Sequence, residues 1–541
     1  MPDALARARE RLRPHRAAAL TEAFRRSDAP ALVLLAAWAL VPLAYLSIRS
    51  LGDGGTLTGA EGLTPTDQLQ YLAWIRDSGE HVLISNRFGL EETTHDFLHP
   101  MFLVSGALWR LGLDIQVALL VWAPVAVGVL FAGFRAYVRR TVQPDGWPRR
   151  VALVLGLFFF TPALPLLDWT GILGPGQGYR LELLTYEGFN ATQLWGYLHV
   201  GLAMGLLALV LLEVERLIEP DRRAHRRGPG WYALWAAGGG LVVSWLHPWQ
   251  GVILLLILAG IAAWGRFERR LLPLAVPAVG ALLPLIYFFV LAQADPVWGA
   301  AREAASYPHS PPWIVAAALA PLGVLAALGA RGPADTIQDR VLRLWPLAAV
   351  AVYYAVDSSP YHAFQGLSLP LAVLAVRGWR RMGHRPALAA GAVAVATLPG
   401  FVHGVYLLEK YVDGERGGYL LRDGERRALE HIERSSLPGG VLARTDMGAA
   451  VPGFAGRNTW VGHRTWSPDA VERAKEADDL FRGRLAPADA QALVARAGAA
   501  FLLSDCGANA DLAPALGPAV RPVRFGCATV YEVAAPVALR P

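Results

Sequence analysis

The residues of this chain best suited to chemistry lie between two long apolar stretches, in Thr66-Asp67-Gln68-Leu69-Gln70-Tyr71-Leu72-Ala73-Trp74-Ile75. A carboxylate that opens an amphipathic helix just beyond an apolar run sits at the lipid–water boundary, where it can serve as general base toward a hydroxyl. An Asp near a helix start also serves as a cap, and spacing alone leaves both roles open for Asp67. Further on, His95-Asp96-Phe97-Leu98-His99-Pro100 opens a second apolar segment. Asp96 has the chemistry to bind a metal ion or a sugar hydroxyl, and His95 and His99 that to hydrogen-bond a phosphate. The same six residues also read as a helix start, with Pro100 in the first turn and Asp96 near the cap.

Histidines recur at one set of ends of the apolar segments: His95, His99, His199, His247, His309, His362 and His403. Polar residues at such depths usually face a protein cavity rather than lipid. The strongest contexts are Trp245-Leu246-His247-Pro248-Trp249-Gln250 and Ser359-Pro360-Tyr361-His362-Ala363-Phe364-Gln365. Each joins two apolar segments, although aromatic rings gather at membrane interfaces without any catalytic role. A divalent metal is compatible with these residues, but no His pair at i, i+4 on an apolar segment and no HExxH spacing supports one. No phosphate-binding glycine loop or dinucleotide fingerprint occurs, so no nucleotide cofactor is expected.

The elements that must position these groups are membrane helices. The 541 residues are 54% hydrophobic and 17% charged, with mean hydropathy +0.34, too apolar for a soluble chain of this length. The net charge of +6 comes from Arg clusters between apolar segments, where the positive-inside rule puts them, and not from a nucleic-acid surface. Arg7 to Arg26 resemble the charged start of a signal peptide, but the run from Ala31 to Ile48 is too long for one and reads as the first span.

Sorting the Arg clusters onto one side gives about eleven spans, near 31–48, 115–137, 151–168, 192–214, 231–246, 250–265, 271–292, 312–330, 342–357, 361–378 and 387–408. The inside loops are then Arg139 to Arg150, Arg216 to Arg227, Arg266 to Arg270, Arg331 to Arg343 and Arg377 to Arg385. Phe97 to Leu113 must not cross, or every later cluster changes side, so an amphipathic surface helix is expected there. The external loops are 49–114, with Asp67 and Asp96; 168–193, with Arg180, Glu182, Glu187 and Asn190; and 295–312, with Arg302, Glu303, Tyr307 and His309.

After Lys410 the pattern turns soluble. Helical stretches at 423–434, 469–481 and 487–496 alternate with apolar runs at 440–443, 459–461, 499–503 and 528–533, which predicts a small α/β domain. Cys506 and Cys527 both fall there, either as a disulfide in an oxidising compartment or as two unpaired buried thiols.

This arrangement resembles the GT-C superfamily of membrane glycosyltransferases, which use polyprenyl-phosphate sugar donors. Thr66-Asp67 through Tyr71-Leu72-Ala73 is similar to the Asp and Tyr-Ala-like residues of the family's first external loop, and Asp96-Phe97-Leu98-His99-Pro100 to its short acidic or His-Pro element. Val441-Leu442-Ala443, the segment Val451 to Arg457 and Gly462-His463 resemble the soluble region that ends many bacterial members. The second loop departs from the family in lacking a paired-acidic motif, and His362 with Gln365 stands where some members place a Glu-Arg pair.

The resemblance implies a polytopic α-helical membrane protein of about eleven transmembrane helices with a C-terminal soluble α/β domain. Residues 1–30 form a cytoplasmic basic N-terminus, 31–410 the transmembrane domain, and 411–541 an extracytoplasmic domain, in a bacterial inner membrane. The implied activity is inverting transfer of a sugar from a polyprenyl-phosphate donor to a glycan, lipid or protein acceptor, with Asp67 as general base and Asp96 as second catalytic carboxyl. Donor and acceptor contacts fall to Tyr71, His95, His99, Arg180, Glu187, Asn190, His247, Arg302, His309, His362 and Gln365. Its partners are the donor, the acceptor and membrane lipids, with no nucleic acid and no cofactor. Two other expectations stand beside it: a transporter or lipid-handling protein without covalent chemistry, and an envelope-polymer-binding scaffold.

Overall fold

The computed structural model of the chain describes residues 28–219, 229–383, 386–414, 416–508 and 510–534. The basic N-terminal residues before Asp28 and the Arg222 to Arg227 cluster lie outside this range.

The protein is a multi-pass membrane protein: among the described residues five helices are long and apolar enough to cross a bilayer, at 29–52, 115–141, 198–218, 269–294 and 386–414. A sixth crossing arises if Pro312–Leu319 and Leu322–Gly329, bent by 83°, count as one span. The other segments expected to span are helical but shorter, broken or, as in the 18-residue Pro229–Leu246 and the 19-residue Ile337–Ala355, less apolar. Trp147–Phe158, for example, has 12 residues, about 18 Å at the α-helical rise. Pro100–Arg110, with 11 residues, is likewise too short to cross roughly 30 Å of hydrocarbon, as the surface-helix reading requires.

The bundle has two chemically distinct ends. At one, Arg377 bonds Asp339 at 2.6 Å and the Thr141 carbonyl at 2.8 Å, and Arg140 pairs with Glu215. At the other ends of the same helices stand Tyr197, which precedes Leu198–Ile218, and Tyr353, in the last turn of Ile337–Ala355. Cationic groups are thus separated from the aromatic and histidine-rich end by the length of a span, about 31 Å for 21 residues. Helices Trp122–Thr141 and Leu198–Ile218 approach so closely that a Cβ at Gly133 would lie 2.1 Å from the Gly205 carbonyl oxygen. Only glycine allows backbones that near.

Strand β1 (Gly55–Leu57), just after the first helix, pairs antiparallel with β2 (Leu420–Arg422), just after the last membrane helix. A mixed four-stranded sheet follows: β3 (Val441–Ala443), β4 (Phe501–Ser504), β5 (Val520–Phe525) and β6 (Ala528–Val533), in the order β3-β4-β6-β5. Strands β3 and β4 bury both faces. Val441, Ala443, Phe501 and Leu503 join the core shared with the bundle, while Leu442 and Leu502 meet Leu480, Phe481 and Leu493 of helices Ala470–Phe481 and Pro487–Ala497. That two-sided alternation is the α/β pattern read from the sequence. Strand β5 was not expected, and the run at 459–461 forms only a bridge from Thr459 to Val441. Cys506 and Cys527 are joined as a disulfide.

The sheet domain sits directly on the 55–114 segment. Arg76 bonds the carbonyls of Gly453 and Phe454 at 3.4 and 3.2 Å and Glu433 at 2.8 Å. Tyr419 donates to the Gly62 carbonyl at 2.8 Å, and Asn86 to that of Trp466 at 2.9 Å.

Candidate active site

Helix Pro65–His81 begins with Pro at its first position, which fixes φ at the helix start and removes an amide that would lack a partner. Asp67 is therefore inside the first turn, and its side chain does not cap the helix. Its Oδ2 accepts from Tyr197 Oη at 2.7 Å and from Thr64 Oγ1 at 2.9 Å, and the two hydroxyl oxygens stand in contact with each other. Its Oδ1 lies 3.0 Å from His463 Nε2. The Thr465 amide donates to His463 Nδ1 at 3.1 Å, so the ring proton is on Nε2 and His463 is the donor.

Burial works to raise the Asp67 pKa, but the hydrogen bonds from His463, Tyr197 and Thr64 outweigh it and hold the carboxyl below its usual value. Asp67 is ionised at neutral pH, and its side chain retains 32% exposure. With three donors on four lone-pair sites, it has room to accept one more proton donor.

Tyr71, one turn further along the same helix, is buried, with its ring 6.4 Å from Tyr197 and 5.4 Å from His199. His199 in turn lies 5.7 Å from His99. His99 and His247 occupy the same local position, each the residue before a Pro that starts a helix, Pro100–Arg110 and Pro248–Trp264. The His99 ring bonds the Leu246 backbone, so the two helix starts are adjacent, and burial pushes the His99 pKa down to about 4. His247 stands 5.6 Å from His362, which also packs against Trp249 at 4.9 Å. Glu187 accepts from Gln365 Nε2 at 2.6 Å and lies 3.4 Å from His362 Nδ1.

Six polar atoms buried in this cluster have no protein partner: Nδ1 of His99, His199 and His247, Trp249 Nε1, Gln250 Oε1 and Gln365 Oε1. An unmade hydrogen bond of this kind costs about 1–3 kcal/mol, and ring contacts through His199, Tyr71 and Tyr197 connect the cluster to Asp67.

The other expected site residues are placed differently. Asn190 is fully buried and spent on protein: its Nδ2 donates to Gly156 O and Ser368 Oγ, and its Oδ1 accepts from Gly366 N. Arg180 reaches the His309 carbonyl at 3.5 Å, and His309 Nε2 the Val356 carbonyl at 3.2 Å. Arg302 is exposed. Asp96 shares no partner with Asp67 and does not cap Pro100–Arg110. It accepts from Trp298 Nε1 at 3.0 Å and meets Asp295 through Thr94, at 3.0 and 2.7 Å. Burial and the neighbouring Asp295 carboxylate raise the Asp96 pKa. His95 stands with Asp77 and His81. Thr64, Tyr197 and the role of His463 were not found from the sequence. The one available signal was Gly462-His463, which carried no indication of its partner.

No protein-family model matches the chain, and no curated protein does. Among solved structures, ArnT from Cupriavidus metallidurans in the apo state superposes with a TM-score of 0.51 at 14% identity, covering 94% of this chain and 99% of that one. The same enzyme bound to undecaprenyl phosphate gives 0.51 at 13% identity over the same shares. The oligosaccharyltransferase AglB from Archaeoglobus fulgidus, in complex with an inhibitory peptide and a dolichol-phosphate, gives 0.48 at 12% identity, covering 89% of this chain and 70% of that one. Over nearly its whole length, then, this chain has the fold of ArnT, a GT-C glycosyltransferase.

Proposed function

We propose that this protein is a GT-C-type glycosyltransferase that moves a sugar from a polyprenyl-phosphate donor to a hydroxyl-bearing acceptor, with Asp67 as general base. The observation that carries the reading is the ionised, three-fold hydrogen-bonded Asp67 beside a buried cluster of polar atoms without protein partners, in a chain with the ArnT fold.

In this reading the donor enters laterally from the leaflet at the histidine-rich end. Its phosphate is met by His247, His362 and Trp249, at the paired starts of Pro100–Arg110 and Pro248–Trp264, where helix dipoles favour an anion. Arg180 and Arg302 are the cationic candidates for the same phosphate, and Tyr71, Glu187, Gln365 and Asp96 take sugar hydroxyls. The acceptor oxygen attacks the anomeric carbon as its proton passes to Asp67, and the bond from that carbon to the phosphate oxygen breaks. Polyprenyl phosphate leaves, and a single displacement inverts the anomeric centre.

The positive-inside rule sets the orientation: the Arg377–Asp339 end is cytoplasmic, and the sheet domain with the Asp67 segment faces outward. A bacterial inner membrane and a glycan, lipid or protein acceptor of the envelope complete the reading. Incubating purified protein with a panel of polyprenyl-phosphate sugars and following release of the lipid phosphate tests it. Absence of turnover across the panel, with donor bound, contradicts it.

A further inference from the structure

We infer that Asp77, His81 and His95 form a divalent-cation site suited to Zn²⁺, separate from the Asp67 network and independent of whether the chain transfers sugars. Asp77 and His81 are one turn apart on helix Pro65–His81, so their side chains share a face. His95 reaches them from the other limb of a closed loop, held by reciprocal backbone bonds between Ile84 and Phe97 of 2.8 and 3.1 Å. The ligand atoms of the three residues all lie within 4.8 Å of one another, and the two imidazole rings are 4.2 Å apart.

The Asp77 carboxylate is oriented as a ligand is. It is fully buried, and its Oδ2 accepts from Ser85 N at 2.6 Å and Ser85 Oγ at 2.8 Å, which fixes its plane. Its Oδ1 is crowded: His81 Nδ1 at 3.1 Å, His95 Nε2 at 3.3 Å and Arg87 Nε at 3.1 Å all face it, with Arg87 Nη2 in contact as well. Four nitrogens exceed the two lone pairs of one oxygen, so the imidazoles cannot all be donors. Rings that turn their lone pairs to a cation remove the conflict once Arg87 Nη2 leaves Oδ1, which frees one lone pair there for the ion. Arg87 has other partners to keep, the Gly456 carbonyl at 3.1 Å and Glu80 at 3.4 Å.

His81 and His95 are 43% and 37% exposed, so an ion reaches them from solvent. Two imidazoles and one carboxylate leave a fourth tetrahedral position for water and select Zn²⁺ over Mg²⁺ or Ca²⁺. The bound ion would clip the end of the Asp67 helix to the segment that delivers Asp96 and His99.

The test uses the full chain in detergent, freed of metal by chelation, then titrated with Zn²⁺ alone by calorimetry and with Co²⁺ alone by visible absorption. One ion per chain is expected, weakened about tenfold or more by His81→Gln and by His95→Gln and unchanged by Asp67→Asn. X-ray absorption at the zinc edge of the loaded wild-type protein should show two imidazole ligands, a readout that needs no variant. No binding, binding insensitive to both His substitutions, or binding lost in Asp67→Asn overturns the inference.

Discussion

His463 Nε2 lies 3.0 Å from Asp67 Oδ1, a contact between residues 396 positions apart that makes the sheet domain part of the candidate active site. The imidazole is a positioning group here, because the Thr465 amide on its other nitrogen leaves it no free lone pair with which to take a proton. Removing the donor therefore changes the carboxylate, not the proton's destination.

His463→Ala should lower turnover by roughly 10- to 100-fold, the worth of a hydrogen bond to a charged group. It should also move the acid limb of the pH–rate profile upward. Bonds from His463, Tyr197 and Thr64 overcome burial to hold the Asp67 pKa down, so the wild type keeps its base ionised to lower pH than the variant does. The same bonds stabilise the fold above the unfolded-state pKa, and that contribution is lost as pH falls through the folded value. Profiles of kcat/KM for wild type, His463→Ala and His463→Gln, which restores a donor, check this. An unshifted limb in His463→Ala contradicts it.

Gly448→Ala should impair the same contact from a distance. A Cβ at Gly448 would stand 1.9 Å from the Val461 carbonyl oxygen, and Gly462 packs back against the Gly448 backbone. The added methyl must push 461–463 away from helix Thr445–Ala455 and carry His463 off Asp67. A stability loss of about 1–3 kcal/mol is expected in thermal unfolding, together with the His463→Ala pH profile in whatever folded protein remains.

His247→Ala and His362→Ala should raise KM for a polyprenyl-phosphate donor by about tenfold each, with a smaller effect on kcat. Steady-state kinetics with donor varied at saturating acceptor measure this. An effect confined to kcat would move these residues from donor binding to the chemical step.

Glu61 lies in a different place, a cleft of about 540 Å³ walled by Leu43, Leu46, Val117 and Leu120 that contains none of the Asp67 network. It is 4% exposed, and burial raises its pKa to about 8. Between the unfolded value near 4.5 and 8 the folded state holds a proton that the unfolded state has released, so stability falls as pH rises through that window, by about 1.4 kcal/mol per unit at most. Glu61→Gln should flatten this slope, as read from denaturant midpoints between pH 5 and 8. Equal slopes for both proteins contradict it.

The sequence made local features legible and distant ones not. Hydropathy and Arg placement located the helical segments, and the surface reading of Phe97 to Leu113 followed from topology. Amphipathic periodicity placed helices Asp423–Arg434 and Pro487–Ala497 because each is written in consecutive residues. Asp67 was visible for the same reason: Pro65 and the following helix sit beside it in the chain. Its partners were not, since a tyrosine 130 positions on and a histidine 396 positions on leave no local trace of their meeting. The Asp77–His81–His95 group carries no His–His pair at i, i+4: its helical pair is an Asp and a His, and His95 joins it from beyond the helix. Strand β5 was missed because its exposed Arg521 and Arg524 and its Pro522 break the apolar run that marks a buried strand.

The most direct test of the account is the rate of sugar transfer by Asp67→Asn, measured beside donor binding and thermal stability in the same preparation. Asparagine keeps the size and the polar oxygen but cannot take the proton. Transfer should fall by about 10²- to 10⁴-fold while donor affinity and unfolding temperature stay near wild type. Transfer at the wild-type rate by a folded, donor-binding Asp67→Asn protein would contradict the assignment of the base.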